Sequence, residues 1–167
     1  MLRQLQKRKE GGFTIIEVLI VLAIAGLIMV VVFLAVPALQ RSGRNNAMNT
    51  DANNVLTAVG NYSSNNGGTL PAALTATAPS SGAITIGASG TNQETAKVDT
   101  GVKTVQIDDG STVIGTTNAG VIQVVTGTKG TCNATGTGLG AAGSPRSYAV
   151  LYVAESGSGN ILKCVGN

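Results

Sequence analysis

Apolar residues fill one long stretch near the start of the chain. Ile15-Ile16, Val18–Val36 and Ala38-Leu39 are interrupted only by Glu17, Gly26 and Pro37. Val18–Val36 carries no charge. As a helix rising ~1.5 Å per residue it would cover about 28 Å, close to the ~30 Å hydrocarbon core of a bilayer. The pattern then narrows to a stripe. Met48, Ala52, Val55, Leu56, Val59 and Tyr62 recur at three- and four-residue steps, one face of an amphipathic helix. Asn45, Asn46, Asn49, Asn53, Asn54 and Asn61 occupy the opposite face. Asn65-Asn66-Gly67-Gly68 is a helix stop signal. Pro37 can kink this helix, because proline removes a backbone donor and crowds the preceding turn. The pattern predicts one helix from about Phe13 to about Ser64, apolar all round in its first half and striped in its second.

Leu70–Thr100 is rich in Ala, Thr, Ser and Gly, with Pro71 and Pro79, and reads as a connection with one short strand at Ala83–Ile86. The period becomes two from Val102 to Ile107. Asp108-Asp109-Gly110 then reads as a hairpin turn, with Thr112–Gly115 as the returning strand. Val121–Thr126, Ser147–Ala154 and Asn160–Val165 are three further strands, the last two joined by a turn at Ser156–Gly159. Short antiparallel strands need an apolar layer, and the Met48–Tyr62 stripe supplies it. The expected fold class is α+β: one long N-terminal helix with an antiparallel sheet on its C-terminal half. The expected organisation is a leader over 1–12, a hydrophobic helix over 13–40 and an exported domain over 41–167. That domain comprises helix 41–64, loop 65–100 and sheet 101–167.

Charge refines this picture. The chain has 167 residues, 11 of them basic and 8 acidic, for a net +3. Arg3, Lys7, Arg8, Lys9 and Glu10 supply all of that excess, so the remainder is neutral and shows no basic nucleic-acid-binding surface. The same cations precede the apolar run, which predicts a cytoplasmic N-terminus and export of the residues beyond Gln40. A secretory signal peptide is disfavoured. The run exceeds a normal h-region, Glu17 sits within it, and Gly11-Gly12 would be unexplained. Glu17 is an acid in a membrane-length helix and so a functional candidate. It either snorkels to the interface or meets a cation. Cutting after Gly12 would supply one, the new α-amine of Phe13.

Other chemistry is sparse. Cys132 and Cys164, both in the exported part, read most simply as one disulfide; two buried free thiols are the alternative. Two thiols without histidine make a poor zinc site, and no cofactor is expected. Gly138–Gly143 spells GxGxxG, but no helical pattern comes after it, so no nucleotide site is read there. Asp108-Asp109, with Asp99, could attract calcium, although aspartates in a turn are explained by local hydrogen bonding. The absence of histidine leaves nucleophilic catalysis without its usual base, and an enzyme is not expected. Asn61 and Asn133 begin glycosylation sequons of the kind that arise by chance in an Asn/Thr-rich chain; only Asn133 is kept as a candidate.

Gly12-Phe13-Thr14-Ile15-Ile16-Glu17, running into Val18–Ile28, resembles the N-terminus of a type IV prepilin, the class III signal shared by pilins and pseudopilins. The resemblance covers roughly residues 1–60. It implies that a prepilin peptidase cuts between Gly12 and Phe13 and methylates Phe13. It also implies that Glu17 pairs with the N-terminal amine of a neighbouring subunit during assembly. Many members carry a proline that would fall at Leu34; here Pro37 stands three residues later, which shifts where a kink or melted turn would lie. The implied partners are further pilins in a homopolymer, the peptidase, an inner-membrane assembly platform and, before assembly, membrane lipid. The implied location is the inner membrane, then an extracellular pilus serving adhesion, motility or DNA uptake. A type II secretion pseudopilin or minor pilin, and a membrane-anchored domain that never polymerises, are the alternative readings.

Overall fold

The computed structural model describes residues 11–72, 74–77, 82–87, 92–98 and 101–166. Met1–Glu10 of the expected leader, Pro79 and Asp99 lie outside the described residues. The chain separates into two compact units, one ending at Gln40 and one beginning at Arg41. The class is α+β.

Helix α1 runs from Ile15 to Asn65 and includes Pro37. The expected helix therefore forms without a break at Gly26 or Pro37. Proline has no N–H, so the Phe33 carbonyl loses its usual donor one turn later. In the first unit every residue from Gly11 to Gln40 is exposed. Phe33 and Leu34 are each 77% exposed, as befits an apolar surface that has not met its final solvent or partner.

In the second unit α1 buries Ala52, Val55, Ala58, Val59 and Tyr62, with Met48 and Leu56 packed beside them. The stop signal acts through geometry. Gly67 adopts φ +65°, and Gly68 N–H reaches back to the Ser63 carbonyl at 2.7 Å. That six-to-one bond is the shorter of two on the same carbonyl, which also accepts from Asn66 N–H at 3.3 Å, and together they close the helix end.

Among the described residues the second unit has seven strands: β1 Leu74–Thr77, β2 Ala83–Ile86, β3 Glu94–Lys97, β4 Thr104–Asp108, β5 Val121–Thr126, β6 Tyr148–Ser156 and β7 Gly159–Gly166. One sheet has the order β1-β4-β5-β6-β7; β2 and β3 pair separately. The stretch read as a connection thus contains β1 and β3 as well as the expected β2. The larger sheet is mixed, because β4 and β5 pair in parallel, Thr104 opposite Val121 and Asp108 opposite Val125. Its other pairs are antiparallel.

The expected hairpin at Asp108-Asp109-Gly110 is not formed, and Thr112–Gly115 is not a strand. The two aspartates instead bend the chain locally. Asp108 Oδ1 accepts from Gly110 N–H at 2.6 Å, and Asp109 Oδ1 from Ser111 N–H at 2.9 Å. Residues 109–120 then cross to the far end of the sheet, as a parallel pair requires. Gln123, only 1% exposed, holds this crossover. Its Oε1 accepts from Ile114 N–H at 2.9 Å; its Nε2 donates to Asp108 Oδ2 at 2.6 Å and to the Thr112 carbonyl. One buried amide therefore takes the hydrogen bonds that a returning strand would have made.

The larger sheet is covered on both faces. Val105, Ile107, Ile122, Val124, Val150, Tyr152 and Ala154 join α1 in the main core, to which Ile84, Ile86, Ala96 and Val98 also belong. On the other face Val125, Ala149, Leu151, Val153 and Cys164 meet Ile114 of the crossover and Leu139 of the loop before β6. Double coverage explains why β5 and β6 read as nearly unbroken apolar runs. Cys132 and Cys164 are joined as a disulfide, with Cα atoms 5.6 Å apart, tying that loop to β7.

Candidate functional site

The candidate site is the start of α1. Gly11–Thr14 is non-helical, and α1 begins at Ile15. Phe13 is 86% exposed, and nothing lies within 4 Å of where side chains at Gly11 or Gly12 would project. The Gly12–Phe13 bond thus sits in an uncrowded segment two residues ahead of the helix.

Thr14 sets where the helix begins. Its carbonyl accepts from Glu17 N–H at 3.1 Å and Val18 N–H at 3.3 Å. Its Oγ1 accepts from Glu17 N–H at 3.3 Å, while Thr14 N–H donates to Glu17 Oε2 at 3.4 Å. Thr14 Oγ1 also reaches Glu17 Oε2 at 3.4 Å. This reciprocal arrangement is a capping box, each residue satisfying the other's backbone donor. The bonds are long, so they orient the carboxylate more than they neutralise it. The negative side chain also lies in the first turn, where the helix dipole favours it. Glu17 therefore has a local task besides the two roles read from sequence. The T-x-x-E spacing of Thr14 and Glu17 is the signal that would have disclosed it.

The other candidates lie elsewhere. Gly138–Gly143 is a loop, with no helix after it. Gly140 is there for close approach: a Cβ on it would lie 2.5 Å from the Cys132 carbonyl oxygen. Asn133 is tied into the same loop, its Oδ1 accepting from Thr137 N–H at 2.9 Å and Thr135 Oγ1 at 3.0 Å.

An ion pair closes the second unit where α1 enters it. Arg44 Nε and Nη2 donate to the two carboxylate oxygens of Glu155 at 2.8 and 2.6 Å. Asn45 brackets the same residue, donating to its carbonyl at 2.8 Å and accepting from its N–H at 2.7 Å. The Arg44 hydrogen bond holds the Glu155 carboxyl below its usual range. A sequence reading has no means of pairing residues so far apart.

By length and composition α1 can cross a membrane, within its apolar N-terminal part. Residues 7–33 match the model of the prokaryotic N-terminal methylation motif. No curated protein and no solved structure matches the chain. The matched residues include Gly12, Phe13, Thr14 and Glu17, the same residues whose geometry sets the start of α1. This match over the N-terminal stretch supports a type IV pilin-like prepilin with a class III signal.

Proposed function

We propose that the chain is a structural subunit that polymerises into a type IV pilus through α1 after losing residues 1–12. The observation that carries this reading is the exposed apolar surface of Ile15–Leu39, which contains one acid, Glu17, and overlaps a methylation motif. In the membrane that surface is solvated by lipid. In a filament it would be solvated by the same helix of neighbouring subunits, so it passes from one apolar environment to another without meeting water. Glu17 supplies register. Once the leader is gone, the α-amine of Phe13 on a neighbour is a cation of the right sign and depth, and an unpaired charge in that setting is costly. The N-terminus lies in the cytoplasm before assembly, and the disulfide-bonded domain is exported. A prepilin peptidase and an inner-membrane platform are the partners this route requires.

The test is Glu17→Ala expressed as the sole copy. Leader loss and membrane insertion should survive, since the cut lies at Gly12–Phe13 and the substitution removes a charge from lipid. Polymer recovered by shearing should be lost. Wild-type polymer yield from this variant would overturn the register role. The same preparation separates a polymerising subunit from an anchored monomer, which would yield no polymer with Glu17 intact.

A further inference from the structure

Asn66-Gly67 joins the two residue types between which a backbone amide most readily attacks a side-chain carboxamide, because glycine places no Cβ in the path. The bond sits at the C-terminal cap of α1, with Gly67 exposed. Gly67 N–H donates to no group among the described residues. The carboxamide, by contrast, is held on both its atoms. Asn66 Nδ2 donates to the Tyr62 carbonyl at 2.9 Å and the Asn92 carbonyl at 3.1 Å, and Oδ1 accepts from Asn92 N–H at 3.4 Å. Two further bonds secure the segment that grips it. Asn92 Nδ2 donates to the Asn65 carbonyl at 3.0 Å, and Asn65 Nδ2 donates to Glu94 Oε1 at 2.6 Å.

We infer that Asn66 is a latent site of spontaneous deamidation, kept unmodified by the docking of Asn92–Glu94 against the end of α1. Reaction requires the Asn66 side chain to leave its three partners and turn toward Gly67. The Gly67 nitrogen then gives up its proton to solvent and bonds to Asn66 Cγ. The bond from Cγ to the side-chain nitrogen breaks, and ammonia departs with a proton from water. Water next opens the resulting succinimide at either carbonyl, leaving aspartate or isoaspartate. Both products undo the clamp. Aspartate has no Nδ2 to donate and brings a second carboxylate toward Glu94. Isoaspartate lengthens the main chain by one methylene at the cap, which separates Gly68 N–H from the Ser63 carbonyl. Docking of β3 on α1 and the age of the molecule are thereby coupled.

The test is peptide mapping by mass spectrometry of the purified full-length chain, aged in neutral buffer and probed for isoaspartate at residue 66. Three samples are compared: folded wild type, wild type in urea, and the folded Asn65→Ala/Asn92→Ala variant. Hydrogen-exchange protection of β5 and β6 establishes that the variant retains its core. The expected result is slow modification in folded wild type and fast modification in urea. The variant should be faster than folded wild type by at least about tenfold, on the scale of the two hydrogen bonds it removes from the clamp. Equal rates in folded and urea-treated wild type would overturn the protection. A variant with an intact core and the wild-type rate would overturn the assignment to Asn92–Glu94. The wild-type comparison decides the first point even if the variant loses its core.

Discussion

Replacing Gln123 by leucine isolates the crossover that makes β4 and β5 parallel. Leucine fits the volume and favours an apolar site, so the change removes the amide and little else. Three groups lose their partner: Ile114 N–H, the Thr112 carbonyl and one oxygen of Asp108. A buried group left unsatisfied costs about 1–3 kcal/mol. Asp108 is only partly buried and Thr112 is exposed, so both can turn to water at about 0.5–1.5 kcal/mol for each bond lost; with the full penalty at buried Ile114 N–H the cost is about 2–6 kcal/mol. Burying leucine in place of the amide returns about 1–2 kcal/mol. The expected net loss is about 0–5 kcal/mol with a midpoint of about 2.5 kcal/mol, or roughly 5–10 °C in Tm at that midpoint for a domain of this size. Thermal unfolding of the detergent-solubilised chain, monitored by β-sheet circular dichroism, measures it. Hydrogen exchange adds a local readout, since Ile114 N–H should lose protection before the β5–β6 amides do. An unchanged Tm together with a protected Ile114 amide would refute the claim that Gln123 holds the crossover.

Four other sets of substitutions probe separate parts of the molecule. Paired Cys132→Ala and Cys164→Ala should lower stability by about 2–4 kcal/mol in denaturant titrations, with the loop before β6 becoming protease-sensitive first. Gly60→Ala would ordinarily favour a helix by about 1 kcal/mol. Here its Cβ would lie 2.7 Å from Tyr148 Oη, the tip of a half-buried side chain that must shift, so the gain should fall short of that figure, and Tyr148→Phe in the same chain should restore it. The Glu155 carboxyl is held low in the fold by the Arg44 hydrogen bond. Its contribution is therefore present above the ordinary carboxylate range and lost as pH falls through the lowered value, and Glu155→Gln should flatten the acid limb of a Tm–pH curve. Burial raises the Tyr152 hydroxyl, so stability should also decline above about pH 10, where the unfolded chain ionises first, and Tyr152→Phe should remove that decline.

The parts of this fold legible in sequence are those in which near neighbours carry the signal. The Met48–Tyr62 stripe, the Asn65–Gly68 stop and the apolar runs of β5–β7 each bury or end a segment through residues a few positions apart. The parallel pair was not legible. Asp-Asp-Gly favours a bend, but a bend does not specify whether the chain returns beside β4 or crosses the sheet. That choice rests on Gln123, whose burial depends on the layers that close over it. β1 and β3 consist of Leu-Thr-Ala-Thr and Glu-Thr-Ala-Lys, residues too small or too polar to advertise a strand; their pairing with β4 and β2 creates them. The asparagines of α1 likewise read as a solvated face. Asn54 instead donates to the Lys97 carbonyl at 3.0 Å and Asn65 to Glu94, covering an edge of β3 with side-chain amides. At the candidate site Glu17 and the Gly12–Phe13 junction were visible from residue type. The Thr14–Glu17 box was equally visible in its spacing, since it needs only one helical turn.

Electron microscopy of sheared surface material, with mass spectrometry of the subunit it contains, tests the polymerisation claim most directly. The expected material is filaments built from this chain, each copy beginning at Phe13 with a methyl group on its α-amine and carrying the Cys132–Cys164 bond. A chain that remains in the membrane fraction with Met1 intact, or that reaches the surface as a monomer with a start other than Phe13, would contradict the account.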